Sequence, residues 1–231
     1  MTAPITIVTP ASDQFWAHFG DDHINNILNL DPAPQHVTII SETPLNLPNG
    51  WTNLPLPQPV GTVGWVAAAC NHGNQHATTD WVIYKPVDDL LDPDIFQHTV
   101  YQGDAINIGG RYHLGNFSGT TDSWNNTLTL SRNPMPGLIL IQRATALQIP
   151  YRPVYFDDWM FWIDLKAHGG QATIQFGPHW TWRHHNLSFT QGTTPIPIEA
   201  NQQIQTIQTM YQTGQVRPAA EWPPTYQENP T

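Results

Sequence analysis

A short apolar strand that runs directly into two adjacent carboxylates is the feature that most constrains this sequence. Within residues 80–94, Trp81–Tyr84 has the composition of a buried strand, and Asp88 and Asp89 follow its end. Ligands of open α/β sheets bind where the strands end. Two adjacent carboxylates repel each other unless a cation lies between them, and a divalent ion such as Mg²⁺ or Mn²⁺, itself holding a phosphate, is the natural candidate. A solvated turn is the alternative, because Asp is common in turns.

Strands and helices alternate along the first half of the chain, which predicts an α/β fold with a mostly parallel central sheet. Strands are predicted at 5–8, 37–40, 81–84, 127–130, 138–142 and 172–176. Helices are predicted at 15–30, 64–77, 158–168 and 197–212, with a Pro- and Asn-rich loop at 43–60 and a Pro-rich tail at the end.

Composition limits the function classes that the chain can serve. A hydrophobic content of 39% in 231 residues predicts one large folded domain. The net charge of −10, with only eight Lys and Arg, argues against a nucleic-acid partner, although a local basic groove stays open. The single cysteine, Cys70, excludes an intrachain disulfide. Neither a signal-peptide pattern nor a membrane-spanning run is visible, so we expect a cytoplasmic protein without membrane contact.

The eleven histidines raise a zinc alternative. His72 and His76 are spaced to lie on one face of a helix, and His179, His184 and His185 form a second group. With a single cysteine the chain has no cysteine pair to complete either group, and the first group lacks the Glu of a metalloprotease motif. Structural zinc is therefore the less favoured metal hypothesis.

Four motifs follow one another in a recognisable order, at residues 61–93, 136–143, 155–170 and 182–188. Their characteristic residues are Asn71 and Gly73, Asp88 and Asp89, Asp157, Asp158, Trp159 and Trp162, and Arg183 and His185. Together they resemble the family-2 glycosyltransferases, whose GT-A fold is a Rossmann-type nucleotide-sugar-binding domain and whose members transfer a sugar from a nucleotide donor with inversion. The resemblance covers roughly residues 4 to 190.

The resemblance implies a division of labour along the chain. Residues 1–115 would form the donor-binding half, 116–200 the acceptor and catalytic half of the same domain, and 201–231 a terminal helix and tail. Its implied donor-binding residues are Thr9, Glu42, Asn71, Asp88, Asp89 and Arg183. Its implied metal ligands, for Mn²⁺ or Mg²⁺, are Asp88 and His185. Arg183 would meet the diphosphate, and a structural salt bridge is the alternative for that residue.

Asp158 is the candidate general base. It begins a predicted helix, where the helix dipole favours an ionised carboxylate that can accept a hydroxyl proton. An N-cap is the alternative role, which Asp157 can fill instead. Asp157 and Trp159 are the implied acceptor-binding residues, whereas Trp162 is expected in the core.

Several positions depart from the family pattern. Pro86 and Cys70 replace an Asp and an Arg, Asp157 replaces a Glu, and Glu42 is the candidate for base recognition. Lys85 is expected to offset the lost Asp by meeting phosphate directly. The implied function is transfer of a sugar from a nucleotide-diphosphate donor to a soluble acceptor, namely a small molecule, a protein or a modified nucleobase. The alternative is a catalytically degenerate nucleotide- or sugar-binding protein of the same fold.

Overall fold

A seven-stranded sheet organises the chain in the computed structural model. The structure describes residues 3–56, 65–112, 115–117, 135, 138–152, 157–177, 179–183 and 185, together with positions 202, 205 and 209. Its strands are β1 (Ala3–Ala11), β2 (Pro34–Ser41), β3 (Thr52–Pro55), β4 (Trp81–Tyr84), β5 (Leu90–Leu91), β6 (Ala105–Ile108), β7 (Gly110–Tyr112), β8 (Gly115–Phe117), β9 (Leu138–Gln142), β10 (Ala172–Gln175) and β11 (Trp180–Thr181). Its helices are α1 (Asp13–Leu28), α2 (Trp65–His76), α3 (Arg143–Gln148) and α4 (Asp157–Ala167), with a 3-10 turn at Ile95–Gln97.

The central sheet has the strand order β10-β6-β9-β4-β1-β2-β3. Every neighbouring pair is parallel except those made by β9, which runs antiparallel to both β4 and β6. The carboxyl ends of β1, β2 and β4 therefore meet at one edge of the sheet. The predicted α/β fold with a mostly parallel sheet is confirmed.

Each face of the sheet has its own apolar core, because strand side chains alternate between the faces. On β1, Val8 packs on the face covered by α2 and α4, whereas Ile5 and Ile7 pack on the face that includes Ile27 of α1. The glycine of the second helix lies close to the sheet: a Cβ on Gly73 would approach Val8 Cγ1 to 2.4 Å. The helix that follows the Pro-rich region thus packs directly on β1.

A second, four-stranded sheet with the order β5-β11-β7-β8 stands beside the first. The two residues of β5 follow Asp89 directly, and they pair antiparallel with β11, Leu90 opposite Thr181 and Leu91 opposite Trp180. This pairing carries the segment near residue 180 to the carboxyl end of β4.

Most predicted elements are confirmed within one to four residues of their bounds. The strand predictions at 5–8, 37–40, 81–84, 138–142 and 172–176 and the helices at 15–30, 64–77 and 158–168 all correspond to observed elements. The uninterrupted loop at 43–60 is wrong, because β3 forms within it as an edge strand, the position in a sheet that tolerates proline. No element was predicted where the structure forms α3 and the short strands β5, β6, β7, β8 and β11.

Three predictions fall wholly or largely outside the described residues. The predicted strand at 127–130 and the Pro-rich tail lie outside them, and of the helix at 197–212 only positions 202, 205 and 209 are described, as helical. None of the helices in the described part of the chain has both the length and the apolar character needed to cross a bilayer.

Candidate functional site

The end of β4 places two carboxylates in a buried setting. The Lys85 N–H donates to the Val8 carbonyl at 3.0 Å, so the pairing of β4 with β1 continues one residue past the strand. Asp88 and Asp89 follow, and they are only 8% and 3% exposed. Their position at the carboxyl edge of the sheet matches the expectation from sequence, but their burial argues against the alternative of a solvated turn.

The β5–β11 pair brings the chain's later motif to these carboxylates. Its antiparallel register, continued by two residues beyond Thr181, places Arg183 opposite Asp88. The Arg183 N–H donates to Asp89 Oδ1 at 3.2 Å, and Arg183 Nε donates to the Asp88 carbonyl oxygen. Residues separated by more than ninety positions in sequence therefore meet in one cluster.

Asp88 and His185, the two predicted metal ligands, lie in direct contact. His185 Nε2 is 2.8 Å from Asp88 Oδ2, and the imidazole also packs against Phe19 with ring centroids 4.7 Å apart. At this separation the two side chains are directly hydrogen-bonded, and a carboxylate oxygen and an imidazole nitrogen are both ligand types for divalent ions. Their role as metal ligands stays a prediction. Within the described ranges no group of three or more His, Cys, Asp or Glu side chains is arranged to hold a metal.

Asp89 is held by its neighbours rather than directed toward an ion. Its carboxylate accepts the Arg183 N–H, and its carbonyl accepts from Lys85 Nζ at 2.7 Å. Burial, and secondly the adjacent charge of Asp88, raises the pKa of Asp89 well above its ordinary value. The two acids are thus unequal in setting, and Asp88 is the one that pairs with the histidine.

The Arg183 guanidinium bridges three elements of the fold and retains one unused donor. Nη1 donates to Asp22 Oδ2 at 2.6 Å, and the guanidinium carbon lies 4.7 Å from the centre of the Phe19 ring. Its buried Nη2 has no hydrogen-bond partner among the residues that the structure describes. Both sequence interpretations of Arg183 are compatible with this geometry, since a salt bridge to α1 exists and a further N–H is left for an anion.

Lys85 points into the protein, which corrects the idea that it meets phosphate. The side chain is fully buried, and Nζ contacts His23 Nδ1 at 2.9 Å and the carbonyls of Asp89 at 2.7 Å and Pro86 at 3.3 Å. His23 Nε2 in turn lies 3.2 Å from Thr9 Oγ1. Lys85, His23 and Thr9 form a buried chain, and the predicted donor-binding Thr9 is its inner end with no exposed surface.

The protonation of this chain follows from its burial. Desolvation lowers the pKa of Lys85 to about 7, and the carboxylate of Asp89 partly opposes that shift. Desolvation and the charge of Lys85 hold the pKa of His23 well below its ordinary value, so the imidazole is neutral. The network then assigns the proton to Nε2, where the imidazole donates to Thr9, and leaves Nδ1 as the acceptor for Lys85.

Glu42 lies at the start of α1. Its Oε2 accepts the N–H of Asp13 at 3.1 Å, and Ser12 caps the same helix by accepting the N–H of Phe15. The side chain is exposed at the carboxyl end of β2, next to the end of β1. Its predicted role in base recognition stays a prediction.

A second group of predicted residues forms around the first turn of α4. Asp157 and Asp158 begin the helix, and Asp157 Oδ1 accepts the Asp158 N–H at 2.9 Å. Burial, and then the charge of Asp158, raises the pKa of Asp157 to about 8. Near neutral pH Asp157 therefore retains its proton.

Side-chain hydrogen bonds and an ion pair fix Tyr151 and Arg152, which precede α4 in the sequence. Asn71 of α2 makes two hydrogen bonds to the backbone of Tyr151, donating to its carbonyl and accepting its N–H, each at 2.8 Å. Arg152 forms a two-pronged ion pair with Asp164 at 2.7 and 2.6 Å. The amide group of Asn71, predicted to bind donor, is engaged in positioning this segment.

The tryptophans of α4 belong to the core. Trp162 is fully buried and Trp159 is 2% exposed, and both pack in the cluster that contains Tyr84 and Phe161. The core prediction for Trp162 is confirmed. For Trp159 the same burial favours a packing role over a sugar-stacking one, and its acceptor contact stays a prediction.

His23 and Asp22 are the site residues that sequence inspection missed. A usable signal was present, because Phe15, Phe19 and His23 recur every fourth residue along α1 and lie on one helix face. A polar residue in such an apolar row is expected to find a buried partner, but its identity as Lys85 depends on the tertiary fold.

Comparison with known proteins identifies the fold. No protein-family model matches the sequence, and no match is found among curated proteins. The mannosyltransferase PcManGT from Pyrobaculum calidifontis, in complex with GDP-Man and Mn²⁺, matches 98% of this chain and 67% of its own with a TM-score of 0.57 at 14% identity. TarS 1–349 from S. aureus, in complex with UDP-GlcNAc, matches 80% of this chain with a TM-score of 0.55 at 12% identity.

A third similar structure is glucosyl-3-phosphoglycerate synthase from Mycobacterium tuberculosis in complex with phosphoglyceric acid, with a TM-score of 0.53 at 13% identity over 79% of this chain and 73% of its own. The chain spans about 60% of the length of the TarS 1–349 structure. At these identities the likeness defines the fold, which is that of the GT-A nucleotide-sugar glycosyltransferases. The predicted fold class is confirmed.

Replacing Lys85 with Met should change how stability depends on pH. The pKa of Lys85 is lower in the folded chain than in the unfolded one, so between about pH 7 and 10.5 the unfolded state binds more protons and stability rises with pH. The free energy of unfolding of the wild type should therefore rise by up to about 1.4 kcal/mol per pH unit relative to that of Lys85→Met over this window. Urea unfolding from pH 7 to 9 measures the difference. Lys166→Met, at the more exposed of the two lysines, is the control, and parallel pH profiles for wild type and Lys85→Met would contradict the assignment.

Replacing Asn71 with Ala should destabilise the fold by about 2 kcal/mol, because two buried backbone groups of Tyr151 lose their partners. Nucleotide affinity of the folded variant should stay within about twofold of wild type if Asn71 acts by positioning alone. Urea unfolding and calorimetric titration measure the two quantities separately. A large loss of nucleotide affinity with unchanged stability would instead support the donor-binding prediction.

Proposed function

We propose that the protein transfers a sugar from a nucleoside-diphosphate donor to a hydroxyl of a soluble acceptor, with a divalent ion and inversion at the anomeric carbon. The observation that carries the proposal is the cluster of Asp88, His185 and Arg183 at the carboxyl edge of a GT-A sheet. That edge is where open α/β sheets bind their ligands. A cytoplasmic location is part of the same proposal.

On the donor side, Asp88 and His185 would hold Mn²⁺ or Mg²⁺. The ion would supply neutralisation of the charge that develops on the departing diphosphate. Arg183 contributes a second positive charge, and its unpaired Nη2 can donate to a phosphate oxygen. Lys85 has a positioning role. It donates to the carbonyls of Pro86 and Asp89 and thereby fixes the shape of the loop that carries Asp88.

On the acceptor side, Asp158 is the proposed general base. The acceptor oxygen attacks the anomeric carbon as the bond from that carbon to the diphosphate oxygen breaks, and Asp158 takes the hydroxyl proton. Asp157 supports this role by keeping its own proton, with a pKa of about 8. As a neutral acid it can hydrogen-bond an acceptor hydroxyl without competing for the proton. Attack opposite the leaving group inverts the configuration.

Similar proteins support the donor class. The PcManGT structure contains GDP-Man and Mn²⁺, and the TarS structure contains UDP-GlcNAc. The base and the sugar differ between them, so the donor of this chain is best identified by experiment. A degenerate binding protein is the second candidate, and the motivating observation is Pro86, which stands where the family pattern has an acidic residue.

Donor binding should depend on a divalent ion and on Asp88. In a thermal-shift screen of UDP-, GDP-, ADP- and dTDP-sugars, one donor should stabilise the wild type with Mn²⁺ but not with EDTA. Asp88→Asn should weaken Mn²⁺-dependent donor binding at least about tenfold, because it removes a charged ligand. Asp80→Asn, at an exposed aspartate before β4, is the matched control. Equal donor affinity with Mn²⁺ and with EDTA would refute the metal role.

Asp158→Asn should abolish transfer while sparing the donor. Loss of a general base is expected to lower kcat by about 10²- to 10⁴-fold, whereas donor affinity should change less than about twofold. The control is Asp157→Asn, which should keep most of its activity at pH 7 because that carboxyl is already protonated there. Product formation and donor titration measure both variants. Full turnover by Asp158→Asn would refute the assignment of Asp158 as the general base. If the wild type binds a donor but neither transfers its sugar nor hydrolyses it, the degenerate binding protein is favoured.

A further inference from the structure

The side chain of Arg183 is held by more than its ion pair with Asp22. Its Nε donates to the Asp88 carbonyl oxygen, and the backbone N–H of the same residue donates to Asp89 Oδ1 at 3.2 Å. The guanidinium carbon also lies 4.7 Å from the centre of the Phe19 ring, a distance at which the face of an aromatic ring attracts a cation. These contacts would keep the guanidinium in place without Asp22.

Asp22 contributes charge to this arrangement rather than support. Its side chain is 61% exposed, and its Oδ2 accepts from Arg183 Nη1 at 2.6 Å. An ion pair with so exposed a partner adds little to the stability of a fold, because water screens it. Helix α1, which carries Asp22, contains no Lys or Arg that could balance the carboxylate within the helix. The main effect of Asp22 is therefore to neutralise the charge of the guanidinium.

The ion pair occupies the donor of Arg183 that faces the surface. Nη2 is buried and Nε is bound to a carbonyl, whereas the partner of Nη1 is a largely exposed side chain. A phosphate that approaches Arg183 from solvent therefore competes with the carboxylate of Asp22 for Nη1.

The carboxylate of Asp22 also discriminates between ligands by their charge. Its repulsion of a ligand grows with the negative charge that the ligand carries. A divalent ion cancels part of the negative charge of a diphosphate, so the repulsion is strongest for a diphosphate that carries no metal. Removing Asp22 should accordingly favour the free anion more than its metal complex.

We propose that Asp22 is a specificity-determining residue of the phosphate site. By pairing with Nη1 it masks the charge of Arg183, and the site then rejects phosphate anions that arrive without a divalent ion. The binding of a metal-complexed nucleoside diphosphate beside Arg183 rests on the proposed function. The masking of Arg183 by Asp22 does not.

The test measures the binding of inorganic pyrophosphate to the full chain by calorimetric titration, first with EDTA and then with Mg²⁺. Asp22→Asn should raise the metal-free affinity about three- to fivefold, because the guanidinium stays in place but loses its counter-charge. The gain with Mg²⁺ should be less than about twofold. Asp22→Glu, which keeps the charge, should bind pyrophosphate as the wild type does.

Asp21→Asn is the matched control. It removes the same charge from an exposed neighbour on α1 without freeing the guanidinium, so its gain in metal-free affinity should be less than about 1.5-fold. Adding Arg183→Gln to Asp22→Asn should abolish the gain, which identifies the group that binds the anion. Added salt should reduce the gain, because exposed charges are screened.

Four results would overturn the proposal: an unchanged or lower metal-free affinity in Asp22→Asn, no saturable pyrophosphate binding by that variant, an equal gain in Asp21→Asn, or a gain that survives Arg183→Gln. Nucleotide-sugar binding separates this proposal from the proposed function. A gain in Asp22→Asn, in a protein that binds no nucleotide sugar with Mn²⁺, would keep the role of Asp22 and refute the transferase. Mn²⁺-dependent nucleotide-sugar binding without that gain would refute the role of Asp22 alone.

Discussion

The need to balance two buried negative charges governs the candidate site. Asp88 and Asp89 are adjacent in sequence and nearly inaccessible to water, and burial makes their mutual repulsion much stronger than it would be in solvent. Compensation comes from Arg183 and Lys85 and from contact with His185. Because these partners come from distant parts of the chain, the charge balance links β4, α1 and the end of β11 into one unit.

This balance also distinguishes the two carboxylates by setting. The carboxylate of Asp89 accepts a backbone N–H, whereas the carboxylate of Asp88 contacts a histidine side chain. At the other group, Asp157 retains a proton beside Asp158. In each pair of adjacent aspartates, one residue supports the site and the other is proposed to take part in the chemistry. The two residues differ in their surroundings and not in residue type.

The main features of the fold could be predicted because long or strongly apolar segments carry their own signal. The run of buried residues in Trp81–Tyr84, and the recurrence of Phe15, Phe19 and His23 at every fourth position of α1, reflect which faces are hidden from water. Short elements carry too few residues for a period to be visible, which explains the missed β6 and the two-residue strands. In β3 the proline at the end concealed a strand whose edge position makes proline acceptable.

Less of the site could be predicted, because its interactions join residues far apart in sequence. The pairing of Asp88 with His185 was implied only by family resemblance, since no spacing rule connects positions 97 residues apart. Lys85 seemed free to reach phosphate until the fold placed His23 beside it. The two hydrogen bonds from Asn71 to Tyr151 likewise exist only in the packed chain.

The pairing of β5 with β11 also affects the order in which the protein matures during synthesis. The ribosome makes β4 and the two carboxylates that follow it long before it makes the arginine and histidine that contact them. Until that later segment emerges, Lys85 is the only one of their three basic partners present, and the carboxylates resist burial. Closure of the carboxylate cluster is therefore a late event on the growing chain, and a truncated product that stops before residue 183 lacks both the arginine and the histidine of the cluster.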